Sequence, residues 1–386
     1  MKIFVAGTRG IPHIPGGVEK HCQDLYPLIA SRGHEVILAT RSPYVQRKQT
    51  HYKQVRLWHG YAPRKKSLEA IVHTFLAVIK ARMINADIIH IHAVGPGLMV
   101  PFARLLGLRV VVTNHGPDYD RQKWGRAAKV MLRLGEWAGG RFAHAVIVIS
   151  AVIEGIVKQR CGRESYLIYN GVRLPDATRK TDFLERLGLV ENEYILAVAR
   201  FVPEKGLDLL VDALGKIKGD LKLVIAGDAD HDTDYSRELK RKIKNNPRIV
   251  GTGYITGEPL HQVFSHARLF VLPSYHEGLP IALLEAMSYG LPVLVSNIPA
   301  NKEVDLPAER FFQCGDVDDL HSGIEALCDK AMSEEERQHM RTMIAEKYNW
   351  NSIAEQTISV YRAVVNDGTG RFKKTNEGKS MPDKTA

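Results

Sequence analysis

Short runs of β-branched and other apolar residues recur along the chain and alternate with longer stretches of helical spacing. In the first half, the short runs are KIFVAG, EVILAT, DIIHIHA, RVVVTN and AVIVIS. Between them lie segments such as SLEAIVHTFLAVIKARMI, in which apolar residues recur every three or four positions. Strands that alternate with helices form a parallel sheet covered by helices on both faces. The first half is therefore predicted to be a doubly wound α/β domain.

The alternation starts again after a polar joint near residues 171–185. The second set of strand-like runs is YILAVAR, LKLVIAGDA, RLFVLPS and LPVLVSN, with ERFFQCG as a short final strand. We therefore predict an α/β protein with two Rossmann-like, doubly wound parallel-sheet domains, residues 1–172 and 173–347. Two such domains leave a cleft between the carboxyl edges of their sheets, where ligands bind. Residues 366–386 carry almost no apolar side chains and are predicted to form a mobile polar tail.

Composition adds to this picture. A chain of 386 residues exceeds one ordinary core, and contents of 45% hydrophobic and 25% charged residues are usual for a soluble globular protein. No uncharged apolar run approaches about 18 residues, so we expect no membrane-spanning helix. The start, MKIFVAG, reads as a first strand rather than a secretory signal. The cysteines are scattered without metal-ligand spacing, which predicts reduced thiols and a cytoplasmic location. They are Cys22, Cys161, Cys314 and Cys328.

Positive charge is concentrated in two windows without acidic residues. The net charge is +10, and no Asp or Glu occurs from Val36 to Leu68 or in RQKWGRAAKVMLR after Asp120. A solvated surface, an anionic lipid surface or lipid pyrophosphate, and nucleic acid would each suit cations interleaved with aromatic residues. No nucleic-acid motif accompanies them, so we predict no nucleic-acid partner. We favour contact of segment 41–66 with an anionic membrane surface, which would make the protein peripheral on the inner face of the cell membrane.

Two loops at strand ends in the predicted cleft suit a phosphate. In GTRGIPHIPGGVEK, Gly16 and Gly17 remove side chains where a helix begins, so that backbone N–H groups can approach an anion. A structural turn explains this loop equally well. In ARFVPEKG, Arg200 and Lys205 lie five positions apart, and a tight turn at Pro203 would bring them to one diphosphate. The alternative for this pair is two solvated surface cations.

A third loop, VTNHGPDYDRQKW, places His115 at a strand end in the cleft. A histidine there serves either as a structural hydrogen-bonding group or as part of a binding site, and both interpretations stay open. Asp118, Asp120 and Arg121 follow in the same loop. We treat these three residues as candidates for the acceptor side of the cleft.

The stretch HEGLPIALLEAMSYG lies between two strand-like runs and predicts a helix from about residue 280 to 289. Its amino end attracts anions, yet Glu277 precedes the helix and Glu285 lies within it. A phosphate is repelled by a neighbouring carboxylate. A vicinal diol, in contrast, can donate two hydrogen bonds to a carboxylate. A nucleoside diphosphate sugar carries one diol on the hexose and another on the ribose. We predict that Arg200 and Lys205 hold the diphosphate, while Glu277 reaches the hexose. Glu285 then reaches the ribose; two solvated helix glutamates are the alternative.

Two further patterns could indicate a metal. Four aspartates at alternate positions resemble the start of a calcium loop, but Thr233 stands where that loop requires glycine. These are Asp228, Asp230, Asp232 and Asp234. His90 and His92 share one side of a strand, and no third ligand accompanies them along the sequence. We therefore predict structural histidines and no metal site.

With these loops in place, residues 1–365 resemble a glycosyltransferase of family 4, in the class with two Rossmann-like domains facing a central cleft (GT-B). Glu277 and Glu285 match the family signature of two glutamates separated by seven residues. ARFVPEKG resembles the family's Arg/Lys diphosphate element, and IYNGV its passage into the second domain. NWNSIAEQTISVYR resembles the helix that crosses back to complete the first domain, here expected over 348–365. GTRGIPHIPGGVE resembles enzymes that build bacterial O-antigen and exopolysaccharide chains.

The resemblance implies transfer of a hexosyl unit from a nucleoside diphosphate sugar, with retention at the anomeric carbon and no essential metal or other cofactor. The acceptor would be a glycan or lipid-linked molecule in cell-envelope polysaccharide synthesis, such as lipopolysaccharide synthesis. The residues implied as catalytic are Glu277, Lys205, Arg200 and His115. The residues implied as donor-binding are Gly16, Gly17, Arg200, Lys205, Tyr254, Ile255, Glu277, Gly278, Leu279 and Glu285. Of these, Tyr254 and Ile255 would lie near the base.

Three residues depart from the family pattern. Ala229 replaces a glycine common after GD, and Arg173 stands where Asp is common. Pro27 is expected to interrupt the helix that follows the glycine loop. None of these changes removes a predicted diphosphate or sugar contact. Two alternative functions stay open: a sugar-nucleotide epimerase on a similar scaffold, and a nucleotide-sensing or scaffold protein without turnover.

Overall fold

The fold was obtained as a computed structural model, which describes residues 1–367 except 47, 64–65, 118, 120–124, 176–177 and 230. It contains two parallel sheets, each covered by helices. The strands of the first sheet are β1 (Lys2–Ala6), β2 (Glu35–Arg41), β3 (His51–Tyr52), β4 (Val55–Gly60), β5 (Ile88–His92), β6 (Val110–Asn114), β7 (Ala145–Val148) and β8 (Tyr166–Leu167). Their spatial order is β3-β4-β2-β1-β5-β6-β7-β8. All neighbours pair in parallel except β3 and β4.

The second sheet is parallel throughout. Its strands are β9 (Tyr194–Val198), β10 (Lys222–Ala226), β11 (Ile249–Gly253), β12 (Leu269–Leu272), β13 (Val293–Ser296) and β14 (Phe311–Phe312). Their spatial order is β11-β10-β9-β12-β13-β14. The predicted class, two doubly wound parallel-sheet domains, is confirmed by these two sheets.

Helices cover both sheets. Those of the first domain are α1 (Gly17–Ser31), α2 (Lys66–Met83), α3 (Val100–Leu105), α4 (Arg126–Phe142) and α5 (Ala151–Cys161). Those of the second domain are α6 (Asp182–Arg186), α7 (Leu207–Lys216), α8 (Asp234–Asn245), α9 (Glu258–Ser265), α10 (Ile281–Ser288), α11 (Pro299–Lys302), α12 (Val317–Asp329) and α13 (Glu334–Lys347). The last helix is α14 (Trp350–Asn366). In the described part of the chain, no helix combines the length and the apolar content that crossing a membrane requires.

The central strands are buried on both faces, as their uninterrupted apolar sequences predict. Every residue of β5, β6 and β7 is buried, including the polar His90 and His92. The four cysteine thiols are unpaired. Burial of the strand faces places the hydrophobic core under the helices on both faces of each sheet and leaves the carboxyl ends of the strands free to carry loops.

Pro27 does not interrupt α1, contrary to the sequence expectation. The helix runs from Gly17 to Ser31 with the proline inside it. A proline removes one backbone hydrogen bond from the helix. Tyr26 and Ile29 flank it and are completely buried, so packing of α1 against the sheet and α14 outweighs the lost bond.

Helix α14 packs on the first domain. Trp350 and Tyr361 are buried in the same core cluster as the residues of β1 and α1. On the surface, Nε of Arg32, the residue that caps the C-terminus of α1, donates to Glu355 Oε1 of α14 at 2.5 Å. The chain therefore returns to the first domain after the second has been completed. The predicted tail, 366–386, lies outside the described residues from 368 onward.

Candidate active site

The two domains touch where the loop after β6 meets the loop before α10. A Cβ atom added to Gly278 would lie 2.5 Å from the carbonyl oxygen of His115. That separation is shorter than carbon and oxygen tolerate, so glycine is the residue that permits this approach. Gly116 has a φ of 117°, which also favours glycine, and its backbone N–H donates to Asn114 Oδ1 at 2.9 Å. The contact joins two of the loops predicted to carry the site.

A polar pocket opens beside this contact. It holds about 390 Å³ of empty space, part of which is open to solvent at its mouth. It is lined by His115, Gly116, Arg200, Val202, Glu204, Lys205, His276, Glu277 and Gly278. The structure thus brings together five of the residues predicted from separate loops. These are His115, Arg200, Lys205, Glu277 and Gly278.

Lys205 and Glu277 form the central pair of the pocket. Lys205 Nζ lies 2.5 Å from Glu277 Oε1, and the two side chains are only 19% and 9% exposed. A short 3₁₀ turn, Pro203–Lys205, presents the lysine after β9 and ends at Gly206, whose φ is 59°. The backbone N–H of Tyr275 donates to the Glu204 carbonyl at 2.9 Å and ties the two loops together.

The carboxylate of Glu277 is fixed by its surroundings. Ser274 Oγ donates to Glu277 Oε1 at 2.7 Å. The carbonyl of Ser274 in turn accepts from Ser296 Oγ at 2.5 Å, and Asn301 Nδ2 donates to the Ser296 carbonyl at 2.9 Å. The chain of hydrogen bonds anchors the loop to β13 and α11. Ser274 is a site residue that the sequence reasoning missed.

Glu285 lies apart from the pocket, on α10. The helix spans Ile281–Ser288 with Pro280 as its N-cap, so it is one residue shorter at each end than predicted. Glu285 faces the first domain, where Lys20 Nζ on α1 lies 3.9 Å from its carboxylate. Burial raises the pKa of the Glu285 carboxyl, an effect that Lys20 opposes. Lys20 was not singled out from the sequence, although its place in the first turn of the glycine-loop helix was visible there.

The glycine loop begins α1, as its sequence indicates. Gly16 has a φ of 141°, and a Cβ there would lie 2.1 Å from Glu19 Oε2. Glu19 occupies this space because it accepts from the backbone N–H and from Nε of Arg9, both at 3.1 Å. At Gly17, by contrast, an added Cβ would meet nothing within 4 Å. Gly16 therefore serves the fold of the loop, whereas the space that a side chain would occupy at Gly17 is free of described protein atoms.

The sequence indicates no third ligand beside His90 and His92, but in the structure His92 forms a group with His21 and His115, to which His90 does not belong. His115 Nε2 lies 3.0 Å from His92 Nδ1, and the ring of His21 lies 5.1 Å from that of His115. The order of the strands brings these histidines together. Strands β5 and β6 are neighbours, so His92 at the end of β5 lies beside His115, which follows β6. His21, in the second turn of α1, lies at the same edge of the sheet. Tyr26 Oη contacts His92 Nε2 at 2.5 Å and extends the network inward.

The histidines of this network are neutral at neutral pH. Burial lowers the pKa of His21 to about 4 and, with the neighbouring imidazoles, lowers the pKa of His92 and His115 well below the usual range. Their ligand atoms lie within 4.8 Å of one another, and among the described residues they are the group that could hold an ion. Hydrogen bonds already engage them: His92 bonds to His115, and Asn170 Oδ1 accepts from His21 Nδ1 at 2.9 Å. The arrangement presents His115 to the pocket as an uncharged imidazole.

The remaining predicted residues lie elsewhere. Tyr254 and Ile255 follow β11, the edge strand, outside the residues that line the pocket, and Tyr254 is 52% exposed. Leu279 is buried in the core. Among the alternating aspartates, Asp228 pairs with Lys240 at 2.7 Å. The candidates Asp118, Asp120 and Arg121, like Asp230, lie outside the described residues.

The basic segment 41–66 contains both buried and exposed cations. Arg41 is buried and its Nη1 lies 3.1 Å from Glu69 Oε1. Arg56 lies 3.8 Å from Glu35. The cations at 47, 64 and 65 fall outside the described residues. Of the described cations in this segment, Arg41 is therefore withdrawn from the surface, whereas Lys48, Lys53 and Arg56 are exposed.

Two family profiles match the chain in succession. Residues 15–175 match Glycosyltransferase Family 4, and residues 180–348 match Glycosyl transferases group 1. An uncharacterized glycosyltransferase of Methanocaldococcus jannaschii is 30% identical over 51% of this chain and 53% of its own length. The UDP-Gal:alpha-D-GlcNAc-diphosphoundecaprenol alpha-1,3-galactosyltransferase of Escherichia coli is 28% identical over 61% of this chain and 63% of its own length. The chain thus spans somewhat more than half the length of these two relatives.

The fold has a close structural counterpart. Sucrose-phosphate synthase from Thermosynechococcus elongatus superposes with a TM-score of 0.82 over 95% of this chain and 99% of that one, at 23% sequence identity. At this identity the superposition establishes the two-domain GT-B fold. The two profiles, which follow one another along residues 15–348, show that the chain belongs to glycosyltransferase family 4.

Proposed function

We propose that this protein transfers a hexosyl unit from a nucleoside diphosphate sugar to a glycan or lipid-linked acceptor in cell-envelope polysaccharide synthesis. The observation that carries the proposal is the pocket at the domain contact, in which Arg200 and the Lys205–Glu277 pair meet His115. The cations suit a diphosphate, and the carboxylate suits the hydroxyls of a sugar. Membership of the family and the activity named for the E. coli relative support the same class of reaction.

In the proposed reaction, the bond between the anomeric carbon and the diphosphate oxygen breaks, and the acceptor hydroxyl oxygen forms the new bond on the same face of the sugar. The proton of that hydroxyl passes to an oxygen of the departing diphosphate. The diphosphate leaves with additional negative charge, which Lys205 and Arg200 stabilise. Glu277, released from Lys205 when the donor enters, accepts hydrogen bonds from hexose hydroxyls. His115, held neutral, donates or accepts one hydrogen bond without adding charge. Glu285 on α10, which lies near Lys20 in the first turn of α1, would accept hydrogen bonds from the ribose hydroxyls.

No essential metal is part of the proposal. Two cationic side chains in one pocket provide the positive charge that a divalent ion would otherwise bring to the diphosphate. We also place the base near Tyr254 and Ile255, at the end of β11. Turnover is expected to persist in a chelating buffer, and loss of turnover that added Mg²⁺ or Mn²⁺ restores would contradict the metal-independent form.

The location proposed for the protein is cytoplasmic, peripheral on the inner face of the cell membrane. An acceptor linked to a lipid would place the reaction at that surface. The exposed cations of segment 41–66, such as Lys53, could contribute to attraction by an anionic bilayer.

The first test is a thermal-shift panel of UDP, GDP, ADP and dTDP with their sugar conjugates. A ligand that binds only the folded chain raises the melting temperature by an amount that grows with the logarithm of its concentration divided by its Kd. The stabilising sugar nucleotide is then incubated with lipid-linked and glycan acceptors, and release of nucleoside diphosphate is measured. A transferase releases it only when the acceptor is present. An epimerase would instead convert the sugar nucleotide without release, and a sensor would bind without turnover; neither alternative is favoured by the comparisons.

A further inference from the structure

Helix α4 presents an exposed face that combines apolar and basic side chains. Val130, Leu134 and Trp137 are 56%, 51% and 46% exposed, which is unusual for side chains of this size. Arg126 and Arg133 are also exposed. With about 100° between successive helix residues, these five positions and Arg141 fall within an arc of about 100°. They form one continuous surface, called the α4 face below.

The charge on the α4 face is of one sign. The only acidic residue of the helix, Glu136, is 4% exposed and accepts hydrogen bonds from Asn114 and Tyr119 in the interior. Lys129 lies at the edge of the same face. Among the described residues, no carboxylate forms an ion pair with Arg126, Lys129 or Arg141. The face is therefore apolar and positively charged at once.

The positive region continues beyond the helix end. Helix α3 packs against α4 and ends at Leu105, which is 83% exposed. Burial and the neighbouring charges of Arg104, Arg109 and Arg163 together lower the pKa of His144 to about 4. These arginines surround the position where α4 leads into β7. At the same end, the rings of Trp137 and Phe142 lie 5.4 Å apart in an edge-to-face arrangement.

We propose that the α4 face docks on an anionic lipid bilayer. Helices that lie in a membrane interface carry apolar residues, including Trp and Phe, together with Lys and Arg that reach the headgroups. Anionic headgroups also attract basic residues electrostatically. A second copy of the chain is a poorer occupant, because a symmetric dimer through this face would bring two sets of arginines together. This surface is distinct from segment 41–66. Segment 41–66 runs along β2, β3 and β4 at one edge of the first sheet, whereas α4 connects β6 and β7 near the opposite edge.

The position of α4 gives this docking a consequence for the cleft. The helix follows the loop that begins at His115, so its first turn lies on the cleft side of the first domain. Docking would hold that wall of the pocket close to the lipid surface. The inference does not depend on the proposed activity, because vesicle binding is measured without a donor or an acceptor.

The test is co-sedimentation of the full chain with phosphatidylcholine vesicles that contain or lack phosphatidylglycerol. The double variant Leu134→Ser/Trp137→Ser removes exposed apolar contacts, and Arg126→Gln/Lys129→Gln removes charge. The unchanged protein is expected to bind only the anionic vesicles and to lose binding at high salt. The charge variant is expected to weaken binding about fivefold for each cation neutralised. The serine variant should weaken it at least about tenfold.

Matched controls use exposed residues of the second domain. Val190→Ser and Lys244→Gln change side chains of the same kinds away from the α4 face and should leave vesicle binding unchanged. Circular dichroism of each variant checks that the fold is retained. The proposal is overturned if the serine variant binds like the unchanged protein, or if Lys53→Gln/Arg56→Gln in segment 41–66 abolishes binding instead. It is also overturned if the unchanged protein does not bind, or if the serine variant only converts a dimer to a monomer in sedimentation velocity.

Discussion

Replacement of Lys205 by alanine removes one of the two cations that face the pocket. In the folded chain, Lys205 Nζ lies 2.5 Å from Glu277 Oε1, and Ser274 Oγ donates to the same oxygen at 2.7 Å. The variant leaves Glu277, which is 9% exposed, with the serine and any entering water as partners. A buried carboxylate that loses one of two partners costs about 1–3 kcal/mol of folding free energy. Because the pocket opens to solvent, we expect a loss near the lower limit, about 1 kcal/mol.

The effect on turnover should be much larger than the effect on folding. Lys205 is proposed to stabilise charge that develops as the diphosphate leaves, and loss of one such group typically reduces the rate about 10²–10³-fold. This corresponds to about 3–4 kcal/mol in the activation free energy, all of it absent from the stability of the free protein. The separation of the two magnitudes is what distinguishes a functional cation from a structural ion pair.

Two measurements test this expectation. Release of nucleoside diphosphate gives the rate, and urea unfolding gives the free energy of folding. Lys242→Ala is the matched control, since Lys242 Nζ pairs with Asp212 at 2.8 Å on the outer helices of the same domain. The control should keep its rate. An unchanged rate in Lys205→Ala, or a rate loss no greater than the stability loss explains, would refute the role of this lysine.

Gly278→Ala should reduce turnover about 10²-fold with little change in melting temperature, because a Cβ only 2.5 Å from the His115 carbonyl would displace the two domains; activity like that of the unchanged protein would contradict it. Glu285→Ala should weaken nucleoside diphosphate binding about 10–100-fold in calorimetry, since the ribose loses a charged acceptor, whereas equal affinity would exclude Glu285 from the site. The free energy of unfolding should fall as the pH drops below about 6.5. The His21 ring has a pKa of about 4 in the folded chain and therefore stays neutral there, whereas in the unfolded chain it takes up a proton below its ordinary pKa of about 6.5. Between pH 6.5 and pH 4, this difference lowers the free energy of unfolding by about 1.4 kcal/mol per pH unit. Urea titrations of the unchanged protein and His21→Gln measure this, and identical pH slopes would show the assignment to be wrong.

The central strands could be predicted because they are buried on both faces. Their uninterrupted runs, such as VVVTN in β6, are rich in β-branched residues and too short for a typical helix, so they favour strands. The strands that were missed carry weaker patterns. Val55–Gly60 contains Arg56 and His59, Ile249–Gly253 contains two glycines, and β3 and β8 have two residues each. In these cases pairing with an existing sheet, which a local pattern does not contain, decides the structure.

The candidate site divides in the same way. Arg200, Lys205 and Glu277 could be placed together because each follows a predicted strand, and parallel strands end at one edge. The partners of His92 could not be predicted from the sequence, because the order of strands in the sheet decides which loops are neighbours. Lys20 was missed for another reason: its contact with Glu285 joins the two domains, and their relative placement is a property of the whole fold.

The central claim is that a nucleoside diphosphate sugar binds in the pocket between the domains. A crystal structure of the protein with the sugar nucleotide that most raises its melting temperature tests this most directly. We expect a diphosphate within hydrogen-bonding distance of Lys205 and Arg200, with hexose hydroxyls on Glu277. A donor bound at another place, or a Glu277 carboxylate still paired with Lys205 beside an empty pocket, would contradict it.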